Sequence, residues 1–140
     1  MTTLLQRHER FRVLVTGARR WRSGMLPLVL ADYHRTYCRD LVVIHGDQGN
    51  DEEGGIDWQA HRWCEANGVE DWRFPALWDA YRRAGLFWKA AGSARNREML
   101  WMAQPHVVLA FHPDISGSKG TKDMVGLAWK ALVPVRFFEE

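Results

Sequence analysis

Apolar residues along this 140-residue chain gather in short blocks separated by longer polar segments with helical spacing. Four blocks have strand length and β-branched content: Phe11–Thr16 (FRVLVT), Leu41–His45 (LVVIH), His106–Phe111 (HVVLAF) and Val133–Phe138 (VPVRFF). The first three are near-continuous rather than alternating, the pattern of strands covered on both faces. A weaker block, Glu70–Ala76 (EDWRFPA), carries Pro75 and is expected near a sheet edge. Helices are expected over Ser23–Cys38, Asp57–Gly68, Ala94–Gln104 and Gly120–Leu132. Ser23 is a candidate cap, although Pro27 suggests that the regular helix starts near it, and Asn67-Gly68 is a good stop. The stretch between Ala76 and Ala94 reads as a loop.

Strands alternating with helices imply a parallel sheet with helices on both faces. Right-handed crossovers then predict an α/β, doubly wound, Rossmann-like three-layer sandwich with a mainly parallel five-stranded sheet. The expected order is 3-2-1-4-5, with strands 1 and 4 adjacent at the switch point. One domain is expected over residues 1–140, its core spanning about 11–138. Composition agrees: 46% hydrophobic and 26% charged residues are ordinary for a globular protein. The formal charge of +2 does not by itself indicate a nucleic-acid binder, although the arginines cluster in RRWR and RNR. No apolar run approaches the ~20 residues that span a membrane, and MTTLLQRHERFR lacks the apolar region of a signal peptide. Cys38 and Cys64 offer neither a disulfide framework nor zinc spacing, so a reducing, cytoplasmic location is expected. Most of the eight tryptophans should pack helices or core, leaving one or two near a cleft to stack on a base.

Candidate chemistry follows the strands, where ligands bind in such folds. After strand 1, TGARRWR offers Gly17 and Arg19; it is not a Gly-x-Gly-x-x-Gly fingerprint. After strand 2, HGDQGNDEEGGID offers His45, Gly46 and Asp57, the last either as a helix N-cap or as an acceptor for a ribose hydroxyl. Asp51-Glu52-Glu53 reads as a solvated loop tip. In AAGSARNREML, Ser93, Arg95, Asn96 and Arg97 fall at an expected helix start, where free N–H groups and the macrodipole attract anions. After strand 4, HPDISGSKGTKDM offers Ser118, Lys119, Gly120 and Thr121 as a phosphate cradle that is not a Walker A loop. His61 and Cys64 share a helix face, but nothing completes a ligand set, so no metal site is expected. No Gly-x-Ser-x-Gly elbow or Ser/His/Asp triad can be read.

These signals fall on one edge of the expected sheet. Together, VLVTGAR, VVIHG with a later GID, FPALW, AAGSARNREML, and LAF followed by SKGTKDM resemble YspA-type members of the SLOG superfamily. Those proteins are related to the Lonely Guy phosphoribohydrolases and the DprA/Smf proteins. The resemblance runs from about Arg12 to Val135. It implies a nucleotide-binding Rossmann-like domain in which Gly17 and Arg19 shape the first ligand loop and Gly46 and Asp57 lie on the ribose or base side. It places Arg95, Asn96 and Arg97 against phosphate or ribose, one arginine pointing inward, and Gly120 and Thr121 against phosphate. Two departures stand out. The loop after His45 is longer than in many relatives. The hydrolase pattern Pro-Gly-Gly-x-Gly-Thr-x-x-Glu has Met124 at its carboxylate position, with Asp123 about 100° away around a helix.

The resulting expectation is a protein that senses or sequesters a nucleotide or nucleotide derivative. It needs no cofactor, forms a homodimer or larger assembly, and does not engage a membrane. One alternative is a nucleoside-monophosphate phosphoribohydrolase drawing on Asp57, Glu98 or Asp123; another is a DNA-associated module. Replacing Arg95 with Ala is expected to weaken ligand binding without harming the fold.

Overall fold

Burial of every residue in the second and fourth strands sets the architecture. In a computed structural model describing residues 9–140, the strands are β1 (Phe11–Gly17), β2 (Leu41–His45), β3 (Glu70–Arg73), β4 (Val107–Phe111) and β5 (Val135–Phe138). They form one all-parallel sheet in the order β3-β2-β1-β4-β5. The doubly wound, Rossmann-like α/β fold expected from the pattern is the fold observed. The opening residues read as lacking a signal peptide lie mostly outside the described segment.

Among the described residues the α-helices are α1 (Met25–Tyr37), α2 (Ile56–Asn67), α3 (Trp78–Arg83), α4 (Ala90–Ala103) and α5 (Gly120–Lys130). Alternate strand residues feed two cores. Val13, Val15, Val43 and Leu109 pack with Leu26, Leu30, Ile56 and Ala60 from α1 and α2. Leu14, Ile44 and Val108 pack on the opposite face with Met99, Ala103, Met124 and Ala128 from α4 and α5. This double covering is why the central strands are apolar at successive positions. β3 is shorter than the Glu70–Ala76 block and is an edge strand, half-exposed along its length.

Local signals explain most boundaries. The Ser23 hydroxyl accepts a hydrogen bond from the Met25 N–H at the start of α1. Gly68 takes the left-handed conformation (φ 64°) that closes α2. Two expectations need correction. The segment between Ala76 and Ala94 contains α3, only six residues long and too short and polar to leave a periodic trace. α4 also starts four residues earlier than expected, because the turns at Phe87–Lys89 run directly into it. Ser93–Arg97 therefore lies within the helix rather than at its free amino end. Among the described residues, no helix is long and apolar enough to cross a membrane.

Gly17 shows how tightly the sheet meets α2. A Cβ there would collide with the Phe111 carbonyl oxygen and the Ile56 side chain. Gly17→Ala is expected to destabilise the protein by about 1–3 kcal/mol, the usual cost of overpacking. Urea denaturation of the two proteins measures it, and equal midpoints would show that β1 and α2 separate freely.

Candidate functional site

At the carboxyl ends of the adjacent strands β1 and β4, the switch point, a cleft of about 640 Å³ opens. Gly17 and Arg19 enter it from β1, and Lys119, Gly120 and Thr121 from the start of α5. Ser93, Arg95 and Asn96 enter from α4, and Asp57 from the first turn of α2. The indoles of Trp78 and Trp88 form the outer wall.

α4 sorts its polar residues by periodicity. Starting at Ala90, it turns positions 92, 93, 95 and 96 toward the cleft and leaves Arg97 and Glu98 exposed. Arg97 Nη1 donates to Ser93 Oγ (3.0 Å), bracing the helix instead of reaching a ligand. Glu98 is thereby removed as a candidate acid or base. Arg95 turns inward, but its guanidinium is already engaged. Nη1 donates to the carbonyl oxygens of Gly46 (2.6 Å) and Phe74 (3.3 Å), and Nε donates to Asn96 Oδ1 (3.0 Å). Gly46 lies behind this group instead of lining the cleft, and a Cβ there would strike the guanidinium.

Asn96 is buried and bridges α4 to α5, its Nδ2 donating to Asp123 Oδ2 (3.0 Å). Ser93 Oγ donates to Asp123 Oδ1 (3.4 Å). α5 thus presents Asp123 to the cleft and sinks Met124 into the core. The register that takes position 124 away from chemistry brings position 123 into it. Ser118 serves as a cap for α5: its hydroxyl accepts from the Lys122 N–H (3.1 Å) and donates to the Ile115 carbonyl (2.7 Å). A side chain at Gly120 would meet nothing within 4 Å, so that helix start is open to the cleft. Among the described residues, neither Arg19 nor Lys119 has a carboxylate within ion-pair distance.

Asp57 is not an N-cap, because Gly55 holds that position. Its carboxylate is buried and accepts a long hydrogen bond from the Gln48 N–H (3.4 Å). Burial pushes its pKa up, against the opposing pull of His45 and Arg95. Arg95 is perturbed reciprocally: burial lowers its pKa while Asp57 raises it. Asp57 is therefore a carboxyl of raised pKa at the edge of a cleft, as acid/base chemistry uses.

His45 does not face the cleft. It is fully buried on the α2 side of the sheet, where alternation along β2 directs it. Its Nδ1 accepts the Asp47 N–H (3.0 Å), which leaves the proton on Nε2 to be donated to Asp71 Oδ2 (2.7 Å). His61 Nδ1 reaches the same oxygen (2.8 Å). The potential ligand atoms of His45, His61 and Asp71 lie within 4.8 Å of one another, a grouping that spacing along one helix does not reveal. A metal-bound histidine presents a lone pair to the metal and a proton on its other nitrogen. His45 has the reverse arrangement, so the trio is a hydrogen-bonded carboxylate cradle. Cys64 lies buried near it, its thiol pKa raised by burial and by Asp71.

Trp78, Trp88, Lys89 and Gly92 are cleft residues that the sequence did not single out. A tryptophan excess was visible, but no periodicity marked which indoles flank the site. Comparison of the chain with protein-family models, curated proteins and solved structures returns no match. The fold and the cleft thus define the class: a Rossmann-like α/β domain with a polar and aromatic cleft at its switch point.

Two outcomes test this geometry. Arg95→Ala strips donors from two carbonyls, so it is expected to cost on the order of 1.5–3 kcal/mol of stability, contrary to the expectation of an intact fold. Urea titration measures this, and an unchanged midpoint would show that those hydrogen bonds do not hold the edge. Burial alone would raise the pKa of Asp71, but hydrogen bonds from His45 and His61 outweigh it and lower the pKa from 3.8 to about 2. Its stabilisation is therefore complete above the unfolded value and lost as pH falls through the folded one. The stability gap between wild type and Asp71→Asn should be widest above about pH 4 and close toward pH 2. A gap independent of pH would refute that linkage.

Proposed function

We propose that the cleft binds a nucleotide or nucleotide derivative, and that the protein senses or sequesters it, as its resemblance to the SLOG superfamily suggests. The observation that carries this reading is the pairing of cations that, among the described residues, have no carboxylate partner with half-buried indoles. Arg19 and Lys119 flank the open start of α5, and Trp78 and Trp88 stand across the same cleft. Phosphate oxygens need donors and positive charge; the N–H groups of α5, its dipole and the two cations supply both. A purine or pyrimidine has a π-face that stacks on indole. Asp57 is positioned to accept from a sugar hydroxyl.

A second reading, hydrolysis of the N-glycosidic bond, draws on Asp57 and Asp123. In that reaction water attacks C1′, the C1′–N bond breaks, and the base departs with a proton. Asp57, whose pKa burial raises, would give that proton, and Asp123 would accept one from water.

Calorimetric titration with AMP and ADP-ribose, followed by chromatography of the mixture, tests both readings. Lys119→Ala is expected to weaken binding by about 1.5–3 kcal/mol, the worth of a charge-assisted contact. Gly120→Leu should weaken it with little change in melting temperature, because its side chain enters open space. Unchanged affinity in both variants would move the phosphate elsewhere. Free adenine that disappears in Asp123→Asn would establish turnover, whereas intact ligand would establish binding alone.

A further inference from the structure

The indole pair of Trp78 and Trp88 borders two concavities. On one side lies the main cleft; on the other, a second pocket of about 470 Å³ sits against α3. Three residues, Arg19, Trp78 and Trp88, line both. Leu77, Arg82 and Arg83 line only the second.

This shared wall is held in a defined geometry. The indoles meet edge to face, with centroids 5.8 Å apart and planes inclined by 70°. Gly92 lets Trp78 lie directly on α4, since a Cβ there would come within 2.8 Å of the ring. The Arg19 guanidinium lies 5.4 Å from the Trp78 ring centre, and that of Arg82 lies 4.6 Å from Trp88. Arg83 is exposed and, among the described residues, has no carboxylate partner. Asp79 also lines this pocket and pairs with Arg82 (3.4 Å), so the second pocket combines aromatic surface, guanidinium planes and, beside the shared Arg19, one cation, Arg83, left without a carboxylate. Bases stack on both indole and guanidinium, and the charge suits a phosphodiester or phosphoanhydride.

We propose that the pocket beside α3 is a second base subsite, so that the ligand carries two nucleobases bridged through phosphate across the Trp78–Trp88 wall. This rests on the nucleotide reading of the main cleft. It deepens that reading by naming the ligand class: a dinucleotide, either free or as the end of a strand. Arg19, common to both pockets, would sit beside the bridging phosphate. Arg82 and Arg83 would hold the second base and its charge.

Titration of the full chain with AMP and with the dinucleotide pApA separates the two ideas. pApA is expected to bind at least about tenfold more tightly than AMP, the scale of one added stacking contact. Arg83→Gln should reduce that gain and leave AMP affinity unchanged, because Arg83 lines only the second pocket. Gly92→Ala, which displaces the Trp78 ring, should reduce the gain as well. Measurable AMP binding with equal affinity for pApA would overturn the second subsite while the nucleotide reading stands. Failure of both ligands to bind would overturn both. A twelve-nucleotide strand ending in the same two nucleotides identifies the source. Affinity equal to that of pApA supports the subsite as one for strand ends; exclusion of the strand supports it as one for a free dinucleotide.

Discussion

Parallel strands that stop together leave a row of carbonyl oxygens pointing off the sheet, and those oxygens need donors. Arg95 meets that need at the β2–β3 side. One guanidinium on α4 ties the carbonyl after β2 to the carbonyl after β3. It lies opposite the buried Asp57, so an acid and a base from different layers meet at the floor of the cleft. Gly46 is small because this cation occupies the space where its side chain would be. Placement of α4, closure of the β3 side and polarity of the cleft floor all depend on this one group. The motif that reads as a phosphate grip is first a clasp for the backbone, and among the described residues Arg19, Lys89 and Lys119 line the cleft without a carboxylate partner.

The sheet was legible because its physics is local and repetitive. Runs such as LVVIH and VVLAF must be covered on both faces, and that requirement alone leads to helices above and below a parallel sheet. Order 3-2-1-4-5 followed from chirality and alternation. The site was legible in part. Gly17, Arg19, Asp57, Ser93, Asn96, Lys119, Gly120 and Thr121 do converge on one cleft. His45, Gly46, Arg97 and Glu98 do not, and each misses for a physical reason. His45 follows strand alternation to the far face, and Gly46 yields its place to Arg95. Arg97 and Glu98 face solvent from α4, Arg97 bracing Ser93 while Arg95 turns inward. Pattern reading fixes helix boundaries only to within a few residues, and such a shift moves a motif from the free amino end of a helix into its hydrogen-bonded interior. Trp78 was hidden because α3 is too short to show a period, and Trp88 because it lies in the turn ahead of α4.

Two aspartates near one another show how environment divides a single chemistry. Asp71 receives two histidine donors and stays ionised well into acid. Asp57 has burial against it and weak hydrogen bonds in its favour, and its pKa is raised. The first stabilises the junction of β2, β3 and α2 wherever its carboxylate is ionised. The second costs the fold something at neutral pH, as functional carboxylates often do. Both lie on the α2 side of the sheet, but only Asp57 lines the cleft.

The β1–β4 junction also bears on how the molecule assembles and comes apart. β1 meets β2 after one short crossover, but it meets β4 only when Val13 finds Val107, across most of the chain. Closing so long a loop costs entropy before any contact offsets it, so that seam is expected to form late and to open early. The cleft straddles that seam. An occupant touching Gly17 on one side and Gly120 on the other would act as a staple across the slowest pairing in the sheet. Its presence would lengthen the lifetime of the native chain by slowing the first step of unfolding.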